Sequence, residues 1–298
     1  MAVSNQRFLK PHLVAQLATM ELRAATVVEG VMSGLHRSPF RGLSVEFAEY
    51  RRYQPGDDLR KIDWKAYARS DRYYIKECED ETNLDAHIIL DASASMGFGS
   101  HGMTKWQYGA ILASSLAYVL QRQNDAVGLT VLDEKIRIEM PARNTRGHLM
   151  RAIGELERTE PARRTRLAPL LHEVAARIKR RGMVLVVSDL IDDCDDVIAA
   201  LRHLQFGGND VLVFQTMDPL ELRLECAGPH RFIDPETNGM VAALAEDVKS
   251  SYLDSIGRFL DRYGEEMGRT NICYTLLDTA EPLDKAILAF LGHNARRK

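Results

Sequence analysis

The sequence predicts an α/β protein: a mostly parallel, Rossmann-like sheet flanked by helices, preceded by an amino-terminal helix and a small β-rich subdomain. Three observations carry this. From residue 84 onward short apolar β-branched runs alternate with longer amphipathic runs, the rhythm of a parallel sheet covered on both faces. Before it, residues 38–83 break into short aromatic and β-branched pieces separated by turn signals such as "SPFRG", "QPGDD" and "ARSDR". Finally, 298 residues with 45% hydrophobic content are enough to build such a core.

The elements follow in order. Leu13, Leu17, Met20, Ala24, Val27, Val28 and Val31 lie at helical spacing, so a helix is expected over about residues 11–35, ended by Gly34. Strand "AHIIL" then leads to helix "TKWQYGAILASSLAYVLQRQ", strand "AVGLTVL" and a neighbouring edge strand "KIRIEM". Two helical segments follow, "TRGHLMRAIGELER" and "LAPLLHEVAARIKRR", and then strand "MVLVVS", helix "DDVIAALRHLQ" and strand "DVLVFQ". Residues 219–244 are punctuated by Pro and Gly and read as an inserted hairpin. A long helix from residue 246 and a last strand, "NICYTLL", close the sheet, with "ARRK" as a solvated tail. The predicted units are residues 1–83 and 84–298.

Composition excludes several classes. A net charge of -3 shows no basic excess for non-specific nucleic-acid binding. Cys78, Cys194, Cys226 and Cys273 are scattered without a CxxC pair, as expected of reduced, structural thiols. Glu21, Arg23 and Glu29 interrupt the most apolar amino-terminal stretch, so neither an export signal nor a membrane span is expected and a cytosolic location is.

The chemistry gathers in "HIILDASASMGFGS", residues 87–100. In an open parallel sheet, sites form outside the carboxyl ends of strands. Asp91, Ser93 and Ser95 stand there, and the small Ala92 and Ala94 let the loop curl so that all three face one point. Strand "MVLVVSDL" ends the same way and brings Ser188 and Asp189 to the same edge. Thr165, before the helix that starts at Leu167, offers a third hydroxyl. Two acids and three hydroxyls form a hard oxygen set suited to Mg²⁺ or Mn²⁺; without a metal, the same groups could simply cap the turns after each strand. Arg164 and Arg166 border this edge, and His101 and Lys105 follow the serine loop, all four being candidates to face a partner. The acidic run Asp192, Asp193, Asp195 and Asp196 favours a helix amino terminus.

These residues resemble the metal-ion-dependent adhesion site of a von Willebrand factor A-type domain. The resemblance implies that Asp91, Ser93, Ser95, Thr165 and Asp189 hold the ion, and that a carboxylate from a partner protein completes its shell. Arg164 stands where many relatives have glycine, which leaves Thr159 as the alternative threonine. A second signature, Tyr53, Pro55, Gly56, Asp57, Asp58, Arg60, Asp63, Trp64 and Arg69, strongly resembles domain-of-unknown-function family 58. Members carry this segment directly before a von Willebrand factor A-like domain and are commonly associated with MoxR-type AAA+ ATPases. That implies a non-enzymatic adaptor or co-chaperone of such an ATPase, acting on a client protein in complex assembly or maturation. A metal-independent scaffold and a metal-dependent phosphoesterase are the alternatives. Within "QPGDD" the Pro and Gly make a turn, and Trp64, Tyr67, Tyr73 and Tyr74 form a candidate satellite core. Ser93 stands where a haloacid-dehalogenase-type phosphatase needs its second aspartate, Phe98 breaks a G-x-S-x-G elbow at Ser100, and no phosphate-binding G-x-x-x-x-G-K-[ST] loop occurs.

Overall fold

Helix α1 runs Met20–Arg37 and is capped by Thr19, whose hydroxyl accepts the Leu22 N–H at 3.2 Å. The computed structural model describes Val14 and residues 17–37, 49–53, 67, 73–77, 84–162, 164 and 166–297. Val14 is helical, residues 17–19 bend, and α1 passes through Gly34, which was expected to end it. Its face of Met20, Ala24, Val27, Val28 and Val31 is buried, and a helix held by packing tolerates the roughly 1 kcal/mol that an interior glycine costs.

Of the β-rich segment, β1 (Glu49–Arg52) and β2 (Tyr74–Glu77) are described, paired antiparallel. Tyr67 stacks on Tyr73 with ring centroids 4.5 Å apart, and Tyr53 meets Tyr73 edge-on. Pro55, Gly56, Asp57, Asp58, Arg60, Asp63, Trp64 and Arg69 lie outside the described residues.

The central sheet then forms in chain order. It comprises β3 (Asp85–Asp91), α2 (Lys105–Arg122), β4 (Ala126–Leu132), β5 (Ile136–Arg143), α3 (Arg146–Arg158), α4 (Leu167–Arg177), β6 (Met183–Ser188), α5 (Cys194–Phe206) and β7 (Asp210–Met217). A short helix, α6 (Pro219–Arg223), precedes the hairpin β8 (Pro229–Ile233) and β9 (Met240–Leu244); α7 (Ala245–Arg269), β10 (Cys273–Asp278) and α8 (Asp284–Arg297) complete the chain. The segment expected to be all hairpin thus opens with a helical turn, and the last helix, not assigned from the sequence, carries helical backbone to Arg297, into the ARRK run expected to be a tail.

Six strands pair in the order β10-β7-β6-β3-β4-β5. All neighbours are parallel except the edge strand β5, which runs against β4. Numbered within the sheet this is the doubly wound order 3-2-1-4-5-6, whose switch point lies between β3 and β6. Strand alternation divides the core. Ile88, Leu90, Leu185, Val187 and Phe214 face a layer built from α1, α2, α3 and α8. Ile89, Val184, Val186, Val211 and Val213 face α4, α5 and α7. In α8, Ala286, Ile287, Phe290 and Leu291 are buried in the first layer. Gly109 lets α2 lie close under the switch point, since a Cβ there would stand 3.2 Å from both Leu90 Cδ1 and Val187 Cγ1.

Candidate functional site

Parallel register brings the ends of β3 and β6 together, Leu90 opposite Val187. Asp91 and Ser188 are therefore neighbours, and the Ser188 hydroxyl donates to Asp91 Oδ2 at 2.7 Å. The chain after Asp91 curls into a 3₁₀ turn, Ala94–Gly97. That curl lets the Ser93 N–H donate to Asp91 Oδ1 at 2.9 Å and brings the Ser93 and Ser95 hydroxyl oxygens within 3.0 Å of each other. After β6 the chain turns through Leu190, a non-glycine residue at φ 58°. The turn is fixed by the Leu190 N–H on Ser188 Oγ at 2.9 Å and by the Tyr263 hydroxyl on Leu190 O at 3.1 Å; such strained backbone persists where its surroundings over-determine it. Asp189 Oδ1 accepts the Ile191 N–H at 3.2 Å, and its carbonyl accepts Gln215 Nε2 at 2.9 Å. Asp91, Ser93, Ser95, Ser188 and Asp189 are all buried.

Two carboxylates meet at this edge with consequences for their charge. Burial, and then the Asp189 charge, push the Asp91 carboxyl up to about 7 against the opposing hydrogen bonds from Ser188 and Ser93. A divalent cation would relieve that repulsion. The donor set is two carboxylates and two hydroxyls, all oxygen, which fits Mg²⁺ or Mn²⁺ and not the nitrogen and sulfur that zinc or copper prefer. Among the described residues no three His, Cys, Asp or Glu side chains gather as a metal cluster, so an ion at this edge depends on the serine hydroxyls as well as the two acids.

Thr165 lies outside the described residues. Residues 161 and 162 reach the serine loop, because the Ala162 N–H donates to Ala92 O at 3.0 Å and Pro161 sits against Gly97. Thr159 closes α3, its hydroxyl donating to Glu155 O at 2.8 Å. Arg164, Arg166 and His101 are exposed. Arg164 reaches toward Glu236 of the hairpin turn, 3.9 Å away.

Lys105 corrects the sequence reading of a partner-facing residue, for its side chain is wholly buried. Thr104 and Gln107 form a capping box that fixes the start of α2 and aims the ammonium inward. It lies 2.8 Å from Asp189 Oδ2 and 2.6 Å from Glu221 Oε1. Burial opposes the charge, but the two carboxylates overcome it and hold the Lys105 pKa above the ordinary lysine value. Glu221 was not singled out from the sequence, although its signal was present. Asp218-Pro219-Leu220-Glu221 is a capping box with proline at the first helical position, and Glu221 Oε2 accepts the Asp218 N–H at 2.9 Å. Asp218 in turn accepts both the N–H and the hydroxyl of Ser100, at 2.8 and 2.5 Å, tying down the loop that follows the serines. The acidic run after Asp189 does serve a helix start, with Asp193 accepting from the Asp195 and Asp196 N–H groups.

Beside Ser95 opens a cleft of about 710 Å³ between the hairpin β8–β9 and α7. Phe98, Ile191, Ile233 and Val241 line it, and all four are exposed. The site thus combines a buried polar pocket with an adjoining apolar wall.

The model of a family described as "Protein of unknown function DUF58" matches residues 49–253. The chain belongs to the DUF58 family. The matched segment takes in the β1–β2 pair, the sheet from β3 through β7 and the β8–β9 hairpin, with the acid and serine loop directly after the first strand of that sheet. Similar proteins include Uncharacterized protein Rv1480 of Mycobacterium tuberculosis, 26% identical over 263 residues that span 87% of this chain and 81% of Rv1480. Among solved structures, BatB from Bacteroides thetaiotaomicron superposes with a TM-score of 0.48 at 15% identity, covering 72% of this chain and 100% of BatB. The SpRpn10 VWA domain superposes with a TM-score of 0.32 at 12% identity, covering 45% of this chain and 76% of that domain. Among the described residues of this DUF58 chain, no helix is long and apolar enough to cross a membrane.

Proposed function

We propose that the protein is a non-enzymatic, cytosolic protein-binding module whose affinity for its partner depends on Mg²⁺ or Mn²⁺. The observation that supports this reading is the convergence of Asp91, Ser93, Ser95 and Asp189 as buried oxygens at the switch point of the sheet. These residues hold the ion, with Thr165 as the fifth donor. A bound divalent ion supplies a coordination position for an aspartate or glutamate of the partner. Arg164, Arg166 and His101 surround the approach and favour an acidic surface. Apolar residues flanking the partner carboxylate lie in the cleft beside Ser95, where they exclude water from the ion pair. The fold divides functionally at about residue 84, with α1 packed into the helical layer of the sheet. Resemblance to the family names the partner as a MoxR-type AAA+ ATPase, with a client protein in assembly or maturation as the second ligand.

The test is capture of a purified MoxR-type AAA+ ATPase from the same genome by the immobilised protein, with Mg²⁺, with a chelator, and with folded Asp91→Ala. Retention in the first condition alone is the expected result. Equal retention in all three makes the protein a metal-independent scaffold, and no retention in any removes the ATPase as partner.

A further inference from the structure

The residue nearest to deciding whether an ion can enter this site is Lys105. Its ammonium, wholly buried, occupies one oxygen of a carboxylate that the metal reading needs, 2.8 Å from Asp189 Oδ2. It also has a second, independent anchor in Glu221, 2.6 Å away. That anchor is built to persist: Glu221 is fixed by the Asp218 N–H on Oε2 at 2.9 Å and by the Tyr252 hydroxyl on its carbonyl at 2.7 Å. Like charges held on one carboxylate in a buried place repel strongly. An ammonium with three donors on a flexible stem can keep Glu221 while releasing Asp189.

Resting on the metal reading above, we propose that Lys105 is a tethered competitor of the divalent ion: it neutralises Asp189 in the ion-free protein and withdraws onto Glu221 when an ion binds. Glu221 is then the receiver of the displaced ammonium, and the ion affinity of the site is set by the balance between the two carboxylates. Glu221 also lines the apolar cleft, so the carboxylate that receives the ammonium stands at the wall where the partner docks.

The experiment is calorimetric titration of Mg²⁺ into the full chain as wild type, Lys105→Met, Glu221→Gln and the double variant, each checked for folding by circular dichroism. Lys105→Met is expected to bind Mg²⁺ about tenfold or more tightly than wild type, since the competing cation is gone. Glu221→Gln is expected to bind several-fold more weakly, because the ammonium has only Asp189 left. The double variant is expected to match Lys105→Met, for without the lysine there is nothing for Glu221 to receive. Additive effects in the double variant would mean a general field and overturn the proposal. So would wild-type binding that Lys105→Met leaves unchanged or weakens, an outcome that spares the metal reading. No binding by any of the four, Lys105→Met included, removes the metal reading and this inference together. Should Lys105→Met fail to fold, Glu221→Gln alone decides, and unchanged Mg²⁺ affinity in it overturns the proposal.

Discussion

The Ser188 hydroxyl donates to Asp91 Oδ2 at 2.7 Å, joining the ends of two strands that are 97 residues apart in the chain. Ser188 Oγ also accepts the Leu190 N–H, so a single side chain bridges a buried acid and a left-handed turn. Ser188→Ala leaves a buried N–H without its acceptor and removes a donor from Asp91. A loss of about 1–3 kcal/mol is expected, measured as a shift of the urea midpoint with unchanged slope.

The raised Asp91 pKa makes stability depend on pH. In the folded chain this carboxyl titrates at about 7, against an ordinary value of 3.8. Between those values the folded chain keeps a proton that the unfolded chain has released, so the contribution is full below the lower value and is lost as pH rises through the upper one. In chelator, the melting temperature of wild type is expected to fall relative to Asp91→Asn as pH rises from about 4.5 to about 8. A difference that stays constant over that range contradicts this account of Asp91.

The close approach of α2 to β3 and β6 beneath the site predicts intolerance at Gly109. A Cβ already meets Leu90 and Val187 at 3.2 Å, and a larger side chain has to push the helix outward. Gly109→Leu is expected to cost at least about 1–3 kcal/mol, read by chemical denaturation.

The carboxyl-terminal helix is part of the core. Phe290 is fully buried among residues of the layer formed by α1 and α2. Phe290→Ala is expected to lower stability by about 3–5 kcal/mol; a loss under about 1 kcal/mol would mean that α8 docks weakly.

Much of the fold was legible because the sheet is buried on both faces. Runs such as "MVLVVS" and "DVLVFQ" are continuous, apolar and β-branched, and that composition is what a doubly covered parallel strand requires. Boundaries set by single polar contacts were not legible: Thr19 starts α1 by a side-chain bond, and the helix continues through Gly34 to Arg37. The acid and serine loop was readable from local spacing after a strand. The ion pairs of Lys105 were not, because its partners lie 84 and 116 residues away, and only the sheet topology brings them together.

The most direct test of the central claim is a calorimetric titration of Mg²⁺ into the chelator-treated protein, beside Asp91→Ala shown to be folded. Saturable binding at one site in wild type, absent from Asp91→Ala, is the predicted result. Equal binding by both proteins, or none by either wild type or Lys105→Met, would contradict it.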